Sequence, residues 1–266
     1  MLVGVTKWCA EVADVQGLPQ LGDCWQMDNI EEILALKPTL VIGSVPFKQE
    51  TVAKLLEQPL NFLAKNPRSL ADIQRDVALL GRIAGRSAAA DRLIAKMRRE
   101  FAAIRRQALH ASRGKSRPRV YAEAWPNPRI SSSPWVAELI EIVGGEMCVP
   151  AGEKVSDEQV AAAQPDVIVL AWAATGAKAD PAKSYSVPAW QNVPAVLSHR
   201  VHVIADELLN TPGPPLVAGA RQLFEFLHPA ESPSRRQVSQ ALLPVPPSAK
   251  PSRNRQRTRA PAKDRS

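Results

Sequence analysis

Apolar positions in this chain keep a helical spacing for a turn or two and then run together, and the switch happens twice. In "NIEEILALKPTLVIG" (29–43), Ile33, Leu34 and Leu36 give a short apolar face, Pro38 stops it, and the aliphatic run "TLVIG" follows. In "SDEQVAAAQPDVIVL" (156–170), 127 positions later, Val160 with Ala161 to Ala163 supplies the face, Pro165 the stop and "DVIVL" the run. Asn29 and Ser156 are good N-caps with Glu32 and Gln159 three residues on, so each copy opens a helix through a capping box. Unbroken aliphatic runs of this kind predict strands buried on both faces of a parallel sheet. The repeat therefore predicts two α/β lobes.

Segments 70–85 and 86–111, between the copies, are strongly helical; in the second, Leu93, Ile94, Met97, Phe101 and Ile104 keep i, i+3, i+4 spacing. At its full length this second helix would reach about 39 Å, enough to join one lobe to the other. A polar joint at 112–119, a strand at 120–125, a helix at 133–145, a strand at 200–205 and a last helix near 214–228 follow. The predicted organisation is an N-terminal α/β lobe at 1–69, a helical connector at 70–112 and a C-terminal α/β lobe at 113–230.

Composition changes this picture only at the end of the chain. Of 266 residues 45% are hydrophobic, as in ordinary globular proteins. From Glu231 to Ser266, nine Lys or Arg stand against two acids, so this tail holds seven of the eight net positive charges. It is rich in Pro, Ser and Arg and has no aromatic residue, so it cannot bury enough surface to offset its ordering entropy and is expected to be disordered. It reads as a solvated extension or as a weak contact for anionic lipid or nucleic acid. Sequence-tolerant single-strand binding usually adds stacking aromatics, so nucleic acid is not an expected partner.

Cys9, Cys24 and Cys148 are too few and too scattered for a zinc site. Cys9 and Cys24 are either a pair formed in an oxidising compartment or two small buried residues. No apolar run approaches the roughly 20 residues of a membrane span. The first residues show no signal-peptide pattern.

Catalytic signatures are missing: there is no G-x-S-x-G, P-loop, G-x-G-x-x-G or H-E-x-x-H. In "HRVH" (199–202) two of the four His stand on an expected strand and face opposite sides, so no metal site is expected there. The unusual feature is six Trp against two Tyr. Trp8, Trp25, Trp125 and Trp172 follow strands or interrupt loops, and Trp172 directly follows "DVIVLA", at the strand end where open α/β sheets hold ligands. Broad rigid rings with a polar edge suit a flat macrocycle. Core packing is the other reading of each; it is preferred for Trp190 and stays open for Trp135. Glu31 and Glu158 sit in the first helical turn of each copy with no capping role, where they either complement the helix dipole or present one acid per lobe.

In chain order, "LVGVTKWC", "LGDCWQMDNIEEILALKPTLVIG", "PWVAELIEIVGG", "VSDEQVAAAQPDVIVL" and "PAVLSHRVHVIADELLNTPGPPLVAGARQLFEFLHP" resemble the clamp-type substrate-binding proteins of vitamin B12 and iron-siderophore ABC importers, particularly the cobalamin-binding branch. The resemblance covers residues 2 to 229 and implies two α/β lobes joined by a single long helix, with the ligand held between them. It implies that Glu31 and Glu158 meet arginines on a membrane permease, and that Trp8 and Trp25 touch the ligand. Ser44, Trp125, Trp172 and Asp206 complete the ligand-side candidates. Relatives carry aromatics where this chain has Ser44 and Gly152, and two arginines where it has Thr211 and Pro215. The implied ligand is cobalamin first and a ferric siderophore or haem-like chelate second, as cargo; no cofactor is expected. The chelate and the permease are the expected partners of a monomer in the periplasm. Relatives open with a further strand and helix and an export signal, so the N-terminal lobe is expected to be truncated: either the true start lies upstream of Met1, the preferred reading, or this is a shortened, non-functional copy. A cytosolic corrinoid- or metal-chelate-handling protein, and a nucleic-acid binder acting through the tail, stand as alternatives from other classes.

Overall fold

Both copies of the repeat fold as a helix, a left-handed exit residue, a proline and a strand. The computed structural model describes residues 1–22 and 30–229. In its N-terminal part, β1 (Val5–Thr6) leads into a 3-10 turn at Lys7–Glu11, and β2 (Gln20–Leu21), α1 (Ile30–Ala35), β3 (Val41–Ser44), α2 (Gln49–Leu56) and β4 (Phe62–Lys65) follow. The connector is α3 (Leu70–Ile83) and α4 (Ser87–Ala111). The C-terminal part holds β5 (Arg119–Pro126), β6 (Arg129–Ser131), α5 (Pro134–Ile142), β7 (Glu146–Met147), α6 (Asp157–Ala162) and β8 (Val167–Leu170). It ends with α7 (Ala182–Tyr185), a 3-10 turn at Pro188–Trp190, α8 (Pro194–Leu197), β9 (Val201–Val203), α9 (Glu207–Asn210) and α10 (Leu216–Leu227). The chain is thus α/β, and the described residues belong to one compact unit.

Lys37 (φ 47°) and Gln164 (φ 44°) are the residues before the two prolines, and both take the left-handed conformation. A residue before proline is pushed out of the right-handed helical region, and a left-handed residue is a common way to end a helix. The capping box at α6 is complete: Gln159 N donates to Ser156 Oγ (3.2 Å) and Ser156 N to Gln159 Oε1 (2.7 Å). Asn29, its expected counterpart, lies outside the described residues, as do Cys24, Trp25 and the basic tail.

The two strands after the prolines differ in burial. β8 lies in a five-stranded sheet of order β6-β5-β8-β9, with β7 on the β6 side of β5, and all four of its residues are buried. Among the described residues β3 pairs only with β4, and Ile42 is 47% exposed. The expectation of burial on both faces therefore fails for β3, because a two-stranded sheet has too little around it to cover both faces. The buried cluster there is correspondingly small, Ile33 and Leu55 with a fringe that includes Ile30, Val41 and Phe62.

Alternation along the C-terminal strands sorts side chains into two layers. Val120, Ala122, Val167 and Val169 face α4, α5 and α10, and the buried side of α4 (Met97, Phe101, Ile104, Ala108) completes that core. Tyr121, Ile168, Leu170 and Trp172 face the layer of Val160, Trp190, Val193 and Ala195. Each fully buried aliphatic or aromatic side chain contributes roughly 1.5–3 kcal/mol, so these two clusters dominate the stability of the described fold. Ser69 caps α3 by accepting from Asp72 N (3.0 Å), and Leu70 N donates to the Glu138 carboxylate (3.2 Å), tying the connector to α5. No described helix is long and apolar enough to cross a membrane. Of the two histidines expected on one strand, His202 is on β9 and stacks on Phe226 (4.3 Å), while His199 (φ 55°) belongs to the preceding turn.

Candidate functional site

Strand periodicity decides what the carboxyl end of the C-terminal sheet presents. Trp172 continues the buried face of Ile168 and Leu170 and is only 5% exposed. Its Nε1 donates to Glu123 Oε1 (2.7 Å), and Lys183 Nζ lies 5.5 Å from its ring. Trp172, expected on the ligand side, thus packs in the core with its indole N–H already bonded. Trp125, near the end of β5, is 41% exposed, and its Nε1 is fixed to the Asn127 carbonyl (2.9 Å). An exposed indole with its polar edge already bonded offers a rigid flat face.

Asp206 also has a structural task. It is 8% exposed, and its two carboxylate oxygens accept from Ala174 N (2.9 Å) and Gly176 N (2.8 Å). Ala174 (φ 63°) and Gly176 (φ 55°) both need the left-handed region, so Asp206 holds a loop that an alanine would not adopt unaided. The same carboxylate belongs to a cluster that the sequence did not reveal. Glu11, Asp206 and Glu207 bring one oxygen each within 4.8 Å of one another. None of the three pairs with a Lys or Arg among the described residues. Burial first, then Asp206 and Glu207, push the Glu11 carboxyl above its usual range. Only Glu11 of the three is fully exposed; what the cluster contributes is concentrated negative charge.

Glu11 closes the 3-10 turn that carries Trp8, so the fold brings the Trp8 turn and Asp206 together. Trp8 is half-buried, with Lys7 Nζ 4.5 Å from its ring. Ser44 ends β3, and its hydroxyl is buried without a hydrogen-bond partner among the described residues. Trp25 is outside the described residues. Cys9 and Cys148 carry free thiols.

Glu31 and Glu158 are both exposed in the first turns of α1 and α6, equivalent positions of the two copies. A hydrogen bond from the Ser156 side chain and one from its own backbone N–H hold the Glu158 carboxyl below its usual range, so it is charged at neutral pH. Beneath it runs a buried polar network that the sequence reading missed. Glu123 is fully buried on β5 and accepts from Tyr121 Oη, Trp172 Nε1 and Arg129 Nη1, each at 2.7 Å. Arg129 also pairs through Nε with Asp157, the residue before Glu158, and lies 4.3 Å over the Trp190 ring. Trp190 Nε1 donates to the Asp157 carbonyl (3.0 Å). Burial opposes the Arg129 charge, but Glu123 and Asp157 outweigh it and raise its pKa. Burial and then Glu123 raise that of Tyr121, which stays a donor.

Comparison with known proteins adds lineage to this geometry. The family model described as "Periplasmic binding protein" matches residues 1–208. An uncharacterized ABC transporter substrate-binding lipoprotein of Bacillus subtilis is 24% identical over 238 residues, 86% of this chain and 73% of that protein. A vitamin B12-binding protein of Pectobacterium carotovorum is 26% identical, covering 85% of this chain and 80% of its own. Among solved structures, a periplasmic heme binding protein from Pseudomonas aeruginosa superposes with TM-score 0.73 at 21% identity over 86% of this chain and 85% of that one. The periplasmic vitamin B12 binding protein of Vibrio cholerae gives 0.66 at 22% over 87% and 90%.

Proposed function

The chain belongs to the periplasmic binding protein family, and on that premise we propose that it is the substrate-binding component of an ABC importer that holds cobalamin between its lobes. The observation that carries the ligand class is the acidic cluster of Glu11, Asp206 and Glu207 beside the Trp8 turn. A haem or an anionic siderophore would bring carboxylates or catecholates against three acids that no Lys or Arg neutralises among the described residues, and like charges at that range oppose binding. The rim of a corrin is edged with neutral amides, whose N–H groups donate to carboxylates. The exposed, fixed indole of Trp125, with Trp8 and Trp25, supplies flat apolar contact, and Ser44 a hydroxyl. Glu31 and Glu158, one per copy of the repeat, are the groups offered to cations on the permease, and the working compartment is the periplasm.

Titration of the purified full chain with cobalamin, haemin and ferric siderophores, followed by heat and Trp fluorescence, tests this. Saturable cobalamin binding at about micromolar or tighter, weakened by Trp125→Ala, supports it. Tighter binding of haemin or of an anionic siderophore than of cobalamin would overturn the ligand assignment.

A further inference from the structure

The connector carries a concentration of charge that the ligand site does not use. Between residues 86 and 119 there are eleven Lys or Arg and two acids, while from 120 to 230 there are six and twelve. Outside the tail, the positive charge is therefore local to one helix and its exit. On α4, Met97, Phe101, Ile104 and Ala108 are buried against the core. Opposite them, positions 92, 96, 99, 103, 106 and 110 recur at alternating spacings of four and three, which keeps them in one row. Arg92, Lys96, Arg99, Arg106 and His110 fill five of the six, and all five are exposed. None of the four Lys or Arg pairs with an acid among the described residues. Arg98 and Glu100, off this row, are bonded to Gln74 and Arg221.

We propose that this outer face of α4 docks onto the anionic phospholipid headgroups of a bilayer. The row is straight and runs about 27 Å from residue 92 to residue 110, a length over which a flat charged surface meets every cation. Clusters of four or more Lys or Arg on one helix face suit such a surface, each cation adding favourable attraction. The face offers no exposed aromatic residue for stacking bases, since Phe101 is on the buried side, so a single-stranded polynucleotide is a poorer match. α4 and α6 lie on opposite faces of the five-stranded sheet, so this surface is separate from Glu158 and independent of the ligand reading.

Sedimentation of the full chain with vesicles of phosphatidylglycerol and phosphatidylcholine, and with phosphatidylcholine alone, is the test. Binding to the anionic vesicles only is expected, weakening as salt shortens the screening length. Arg99→Gln combined with Arg106→Gln should lower the partition coefficient about 30-fold, roughly fivefold per cation removed. Glu158→Ala should leave it unchanged, which separates this proposal from permease docking. Three results would overturn it: no preference for anionic vesicles, binding abolished by neutralising Arg253, Arg255, Arg257 and Arg259 yet untouched by the α4 pair, or tighter retention on single-stranded RNA that the same α4 pair removes.

Discussion

Removing Arg129 should expose how much of the C-terminal lobe rests on one guanidinium. Its partner Glu123 is fully buried, and in Arg129→Met that carboxylate keeps two neutral donors, Tyr121 Oη and Trp172 Nε1, and loses the one cation that pairs with it among the described residues. Breaking a buried pair from one side costs about 3–5 kcal/mol, because the remaining charge stays desolvated. The Arg129 side chain is 17% exposed, so water can enter part of its place, and the lower end, about 3 kcal/mol, is the expected loss. For a domain of this size that corresponds to a fall of about 6–12 °C in melting temperature.

Urea denaturation of wild type, Arg129→Met, Glu123→Gln and the double variant measures this. The double variant should recover about 2 kcal/mol relative to additivity, since an uncharged Gln keeps its oxygen as acceptor for Trp172 Nε1 and turns its amide N–H to the Tyr121 hydroxyl, which accepts as well as donates. A single-variant loss under about 1 kcal/mol, or strict additivity, would refute the reasoning, because an exposed pair behaves that way.

Glu31→Ala with Glu158→Ala should leave ligand affinity unchanged and abolish transport in cells carrying the cognate permease; normal uptake would rule out the docking role. Glu11→Gln should stabilise the chain by a few tenths of a kcal/mol near pH 7, the discount reflecting its exposure. Burial and the neighbouring acids raise the Glu11 pKa, so the penalty is absent below the unfolded value and grows as pH rises through the folded one; the gain should vanish near pH 4 in thermal melts. In Gly219→Ala, a Cβ would overlap the Leu208 carbonyl oxygen where α9 meets α10, and the helix propensity gained offsets only part of it. A net loss of about 1–2 kcal/mol in urea titration is expected.

Local signals carried most of the fold. The capping box at Ser156, the prolines at 38 and 165 and the period of α4 are set by residues within a few positions of one another, and those elements form where the pattern puts them. The burial of β3 was not legible, because it depends on how many strands lie beside it and what covers them. Trp172 and Glu123 were partly legible: each stands two residues beyond a position that must be buried, Leu170 and Tyr121, so strand alternation already turned both inward. An acid on the buried face of "VYAEAW" called for a cation, and Arg129 is six residues away. Glu11 meeting Asp206 and Glu207 was beyond reach, since nothing local joins residues so far apart in the chain.

The repeat itself copies boundaries and not packing, and this bears on the two exposed acids. Position 157, before Glu158, is Asp, and its equivalent before Glu31 is Ile30. Ile30 packs on the small cluster of Ile33 and Leu55, so at this position the Glu31 turn is anchored by apolar contact. Asp157 is held by its ion pair with Arg129 and by Trp190 at its carbonyl, so the Glu158 turn is held by charge and hydrogen bonds. Apolar burial tolerates small shifts in position, whereas paired donors and acceptors fix distance and direction. Buried ion pairs add little net stability over a well-packed apolar core, so the network around Arg129 is better explained by the geometry it imposes. It joins β5, β6, the 3-10 turn at Trp190 and α6, and so fixes the position of the turn that carries Glu158.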